Sequence, residues 1–228
     1  MAHGCIHGSS TQDGVTVTSD HRESLRSESI PARGDSRSGL QAAGLGALGF
    51  GAVSVVVYGT VAFGGRWLYR TLTEAGAYSF WAAVYLLGAP WLLGRLLAPP
   101  GLRRRYGMAF VVGFLAYAVG WVAAYFPLRN KPGEILASVL GPALFAVVMA
   151  VALGNRRTWP STAVALMVGH GLGYFAGDFL NTALGGPTGM VLWGVCHGLG
   201  YGAAIGWASA RWLRPRPGTA DVPGDLRR

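Results

Sequence analysis

Residues 39–63 read GLQAAGLGALGFGAVSVVVYGTVAF, 25 positions without a single charged side chain. An α-helix crosses the roughly 30 Å of bilayer hydrocarbon with about 20 apolar residues. A charge placed inside that layer costs about 2.5 kcal/mol or more, so a gap of this length is what a lipid environment enforces. The same emptiness returns at the far end of the chain, where residues 160–213 hold only Asp178 and Arg211 as charges.

Between these two regions the pattern repeats. Six apolar stretches are expected to be membrane helices, at about Leu40–Phe63, Ala75–Leu97, Gly107–Phe126, Ile135–Leu153, Pro160–Leu184 and Thr188–Trp212. Pro90 and Pro142 fall inside the second and fourth, where a membrane helix accepts a kink. The expected organisation is a polar tail over residues 1–38, a six-helix all-α transmembrane domain over 39–213, and a short basic tail over 214–228. The first tail is rich in Ser, Gly, Arg and Asp and lacks aromatics, a composition that does not offset the entropy of ordering. It is not read as a secretory signal, because the apolar run begins too late and no cleavage pattern follows.

Composition supports this frame. Hydrophobic residues make up 51% of the chain and charged residues 13%, about half the charge of an ordinary soluble domain. The net charge of +9 invites a nucleic-acid partner, but the basic residues do not gather on one folded face as such binding requires. They sit in short runs between apolar stretches, at Arg103-Arg104-Arg105, Arg156-Arg157 and Arg211 to Arg216. With the N-terminus inside, the inner segments carry fifteen basic residues and the outer loops four, namely Arg66, Arg70, Arg129 and Lys131. Both termini are therefore expected to be cytoplasmic. The preference for Arg over Lys fits a GC-rich genome, and the expected location is a bacterial cytoplasmic membrane. The bilayer itself is the first partner.

Cys5 and Cys196 are too few and too differently placed for a disulfide framework. His3, Cys5 and His7 carry donor atoms at alternate positions, but no second ligand pair accompanies them and no metal site is expected there or in the spans.

The chemistry-bearing residues concentrate in the last two stretches. A pentapeptide occurs twice, as His170-Gly171-Leu172-Gly173-Tyr174 and His197-Gly198-Leu199-Gly200-Tyr201, on either side of a turn at Gly185-Gly186-Pro187. At 1.5 Å per residue both histidines lie roughly 18–22 Å from that turn, at similar depth near mid-membrane. Gly169, Gly173 and Gly177 form one small-residue stripe, and Gly194, Gly198, Gly202 and Gly206 another. Such stripes let helices approach closely, within one chain, between copies or in a larger membrane complex. Beside them run polar faces: His170, Tyr174, Asp178 and Asn181 on one helix, and Trp193, His197 and Tyr201 on the next.

Ionisable groups in a span usually face the bundle interior or a wet cavity. The leading expectation is accordingly a small permease, channel-like protein or proton-coupled carrier with a His/Tyr/Asp track. A non-catalytic scaffold or complex subunit is the alternative, since interhelical polar contacts are also packing devices. A b-type haem protein with His170 and His197 as axial ligands is the third. Enzyme chemistry is the weakest. Cys196 points about 100° away from His197, so no nucleophile–base pair is evident.

Overall fold

A computed structural model of the chain describes residues 38–214, apart from the side chains of residues 74 and 75. The two polar tails and the His3, Cys5, His7 group lie outside the described residues. Within them the fold is all-helical, with no strand.

Ser38 starts the first helix with a capping box. Its hydroxyl accepts from the Gln41 amide at 3.2 Å, and the Gln41 side chain accepts from the Ser38 amide at 3.2 Å. Helix α1 (Gly39–Gly59) does not stop where its apolar run ends. It passes through a π-helical turn at Thr60–Gly64 straight into α2 (Gly65–Leu97), which is broken internally at Thr73. The unbroken part, Gly39–Thr73, is 35 residues long, or about 50 Å at 1.5 Å per residue, and so outruns a bilayer core. The loop expected between Phe63 and Ala75 is corrected here. Arg66-Trp67-Leu68-Tyr69-Arg70 contains no breaker, and Leu68 packs with Val57, Ala77 and Trp81 in a small core of its own. The π turn is anchored from outside: Thr60 Oγ1 donates to the Val57 carbonyl at 2.7 Å and accepts from Trp81 Nε1 at 3.1 Å.

Helix α3 (Arg103–Tyr125) follows a 3₁₀ turn at Pro100–Leu102. Helix α4 (Lys131–Ala152) is capped by Asn130, whose side chain accepts from the Gly133 amide at 3.0 Å. Helix α5 (Trp159–Leu184) follows a second 3₁₀ turn, and α6 (Gly186–Trp212) completes the fold. Gly185 and Gly186 turn the chain between α5 and α6 at φ 64° and 55°, a left-handed conformation that side chains resist.

Each helix packs on the next, and α6 packs back onto α1, most extensively of all. The result is a closed ring of six helices. Five segments are long and apolar enough to cross a membrane: Gly39–Thr73, Gly76–Leu97, Pro100–Tyr125, Lys131–Ala152 and Arg156–Leu184. In their most apolar windows only 28–44% of residues are buried within the protein, so much of this apolar surface faces outward. Helix α6 is 27 residues long and is not among the five. Gly194, Gly198, Gly202 and Gly206, with His197 and Tyr201, are buried, and the helix packs chiefly on α1 and α5.

The glycines of α6 meet two different helices. A Cβ added at Gly198 would lie 2.7 Å from the Gly51 Cα, and one at Gly202 would lie 2.5 Å from the Gly46 carbonyl oxygen. Gly206 abuts the Ala42 backbone, so the whole stripe lies against α1. The α5 stripe faces other residues of α6. Gly169 would meet Gly200 and Ala204 at 2.6 Å, Gly173 the Cys196 carbonyl at 2.6 Å, and Gly177 the Trp193 side chain. The two stripes do not face each other.

Candidate functional site

The centre of the ring is aromatic. Phe50, Tyr85, Phe114 and Tyr117 stack in series with ring centroids 5.3–5.5 Å apart. This column ends on His170, which is fully buried. Its Nε2 lies 2.8 Å from the Tyr117 hydroxyl, and its ring stacks on Tyr174 at 5.7 Å with 9° between the planes. Tyr201 meets the His170 ring edge-on at 5.1 Å, and His197 does so at 5.3 Å. Four residues expected to lie together, His170, Tyr174, His197 and Tyr201, thus form one cluster.

Several of its polar atoms have no partner. His170 Nδ1, His197 Nδ1, the Tyr201 hydroxyl and Trp193 Nε1 are all buried without a hydrogen bond. Leaving such a group bare costs about 1–3 kcal/mol each. Buried groups of this kind are the ones that an ordered water or the polar atoms of a ligand pair with.

Above the cluster opens a cavity of about 330 Å³, within the range of small-molecule sites. Tyr58, Tyr85, Tyr117, Trp121, Tyr174 and Trp193 wall it, and His197 reaches it from α6. These residues come from α1, α2, α3, α5 and α6, so the ring's closure makes the cavity. No charged residue lines it.

Asp178 and Asn181 stand apart from this group. The Asp178 carboxylate accepts from Lys131 Nζ at 2.6 Å, and the same ammonium holds Glu134 at 2.7 Å. This bridge ties α5 to the start of α4 at the rim of the bundle. Asn181 packs against Gly189 beside the α5–α6 turn. The hydrogen bond that joins His170 to its surroundings therefore runs to Tyr117, not along α5 through Tyr174 to Asp178. Spacing along α5 contains no trace of Tyr117. The only hint was on the third stretch itself, where Phe110, Phe114, Tyr117 and Trp121 recur at helical intervals of four, three and four.

A porphyrin does not fit between the two histidines. Their rings are in edge-to-face contact at 5.3 Å, and His170 Nε2 is taken by Tyr117. Among the described residues no group of three or more His, Cys, Asp or Glu side chains is placed to hold a metal ion. No family model, curated protein or solved structure matches the chain. What the fold defines is an all-helical protein with five helices long and apolar enough to cross a membrane, closed around an aromatic cavity.

Proposed function

We propose that the chain is a six-span integral membrane protein acting as a small permease, with its central aromatic cavity as the solute site. The observation that carries this is the cavity of about 330 Å³ reaching the buried His197. Unlike the grooves on the outer surface, this cavity is walled by five helices and by aromatic side chains, which supports a solute site over a lipid groove. The outward-facing apolar surface of the five segments supports membrane residence, and α6 becomes the sixth span by lying between α1 and α5.

In this reading both ends of the bundle domain lie on the cytoplasmic side, with Arg103 to Arg105, Arg156, Arg157 and Arg211 at the inner surface. The cavity then faces outward. A solute that is largely apolar or carries a diffuse positive charge suits aromatic walls without counter-charges. Tyr117 and His197 form the floor, with His170 and Tyr201 packed directly behind them, and their polar atoms suit a polar group on the solute or a proton. Asp178 belongs to the rim with Lys131. The glycine faces set how closely α1, α6 and α5 approach, and hence the width of the cavity.

The test is cysteine accessibility in a background lacking Cys5 and Cys196. Val57→Cys and Trp121→Cys, at the cavity, should react with a membrane-impermeant thiol reagent from the outer side of proteoliposomes, and Ala146→Cys, fully buried, should not. Labelling of the two cavity positions as slow as that of Ala146→Cys would end the permease proposal.

A further inference from the structure

We infer that the groove between α2 and α3 is a binding site for one anionic glycerophospholipid, its acyl chain lying between the helices and its phosphate held by Arg95, Arg103 and Arg104. This rests on membrane residence but not on solute transport.

The groove has a volume of about 600 Å³. Its long part is apolar, lined by Leu86, Pro90, Met108, Val111 and Val112, and its mouth carries the three arginines. From Arg103 to Val112 it runs nine residues along α3, about 14 Å at 1.5 Å per residue. One leaflet contributes about 15 Å of hydrocarbon. An apolar trench one leaflet deep, ending in cations, has the dimensions of a single lipid seated alongside the bundle.

Charge decides which lipid. Within residues 38–214 the only acids are Glu74, Glu134 and Asp178. Glu74 adjoins the break between the first two spans, Glu134 starts α4, and Asp178 pairs with Lys131. All three belong to the end of the bundle opposite the α2–α3 turn. Among the described residues, no carboxylate pairs with Arg95, Arg103 or Arg104. Arg95 lies over the Trp91 ring at 4.6 Å, which fixes its guanidinium at the groove while leaving its hydrogens free. Helix α3 begins at Arg103 with no side chain capping its first amides, so the positive end of its dipole adds to the site. A neighbouring groove between α3 and α4 shares Arg104, but its own Arg105 is spent on the Ala152 carbonyl at 2.6 and 2.9 Å. The α2–α3 groove is thus the one with unspent cations, and a phosphodiester anion complements it whereas a zwitterionic headgroup brings its own cation.

The experiment is native mass spectrometry of the full-length protein released from detergent with phosphatidylglycerol, phosphatidylcholine of the same acyl chains, or glycerol 3-phosphate. Wild type should retain one phosphatidylglycerol with about a tenfold or greater preference over phosphatidylcholine, and glycerol 3-phosphate should not displace it. Arg103→Ala with Arg104→Ala should abolish the preference, whereas Arg156→Ala with Arg157→Ala, removing equal charge from the next turn on that side, should preserve it. Met108→Trp, which fills the groove and keeps every arginine, should also lose the lipid. If the first double variant does not purify as a single species, Arg95→Gln serves in its place. Equal retention of phosphatidylcholine overturns the site. So does equal loss in both double variants, which would mean a diffuse basic surface, or displacement by glycerol 3-phosphate, which would mean a headgroup site without a lipid.

Discussion

His170 is hydrogen-bonded at Nε2 by the Tyr117 hydroxyl and packed among the rings of Tyr174, His197 and Tyr201. Removing that hydroxyl leaves the buried Nε2 without its partner. Tyr117→Phe should therefore lower unfolding stability by about 1–3 kcal/mol, measured by thermal or denaturant unfolding in a fixed detergent. Asp178→Asn should behave differently. Its partner Lys131 is 59% exposed and also holds Glu134, and such surface pairs contribute about 0–1 kcal/mol. A larger loss for Asp178→Asn than for Tyr117→Phe would mean that the bundle is held at its rim and not at its centre. The pair Tyr117–His170 also shows what a single sequence conceals. A hydrogen bond between residues 53 positions apart needs the ring to close before it exists, and no periodicity within either helix records it.

At the scale of the element, the glycines separate into those that touch and those that do not. A Cβ at Gly171 would meet nothing within 4 Å, while one at Gly198 would run into the Gly51 backbone. Gly171→Ala should be neutral or stabilising by about 0.5–1 kcal/mol through helix propensity. Gly198→Leu should prevent α6 from seating on α1, and Leu199→Gly, at an exposed position, should cost far less. Melting temperatures of the three variants compare them directly, and a Gly198→Leu protein as stable as wild type would contradict the contact. The helical character of these stretches was legible, because hydropathy and helix propensity act locally. The identity of the facing helix was not. The α6 stripe finds Gly46 and Gly51 of α1, at the opposite end of the chain, and spacing says nothing about which neighbour a face will meet. The helix through Arg66 and Arg70 was also hidden, since charge near a span boundary reads as loop when only hydropathy is weighed.

For the whole molecule, an up-down ring places every second turn on one side. Reporter fusions after Arg105, Arg157 and Arg216 should all read as cytoplasmic, and fusions near Arg70, Lys131 and Gly185 as external. A cytoplasmic signal at Gly185 would remove the sixth span and with it one wall of the cavity. The placement of α6 carries a further consequence, for the order of biogenesis. This helix is not among the five segments long and apolar enough by themselves to cross a membrane, so its packing on neighbouring helices matters more to its placement. What it has is a waiting surface, since α1 presents Ala42, Gly46 and Gly51 to nothing else of comparable closeness. On the six-span proposal, that face of α1 waits until α6 has been synthesised, and α6 would enter the bundle against α1 and α5. A chain truncated at Gly185 should insert its earlier segments and yet be cleared by membrane proteases. Co-expression of residues 186–228 as a separate peptide should rescue its abundance. That experiment would show the ring closing in trans as it does during synthesis.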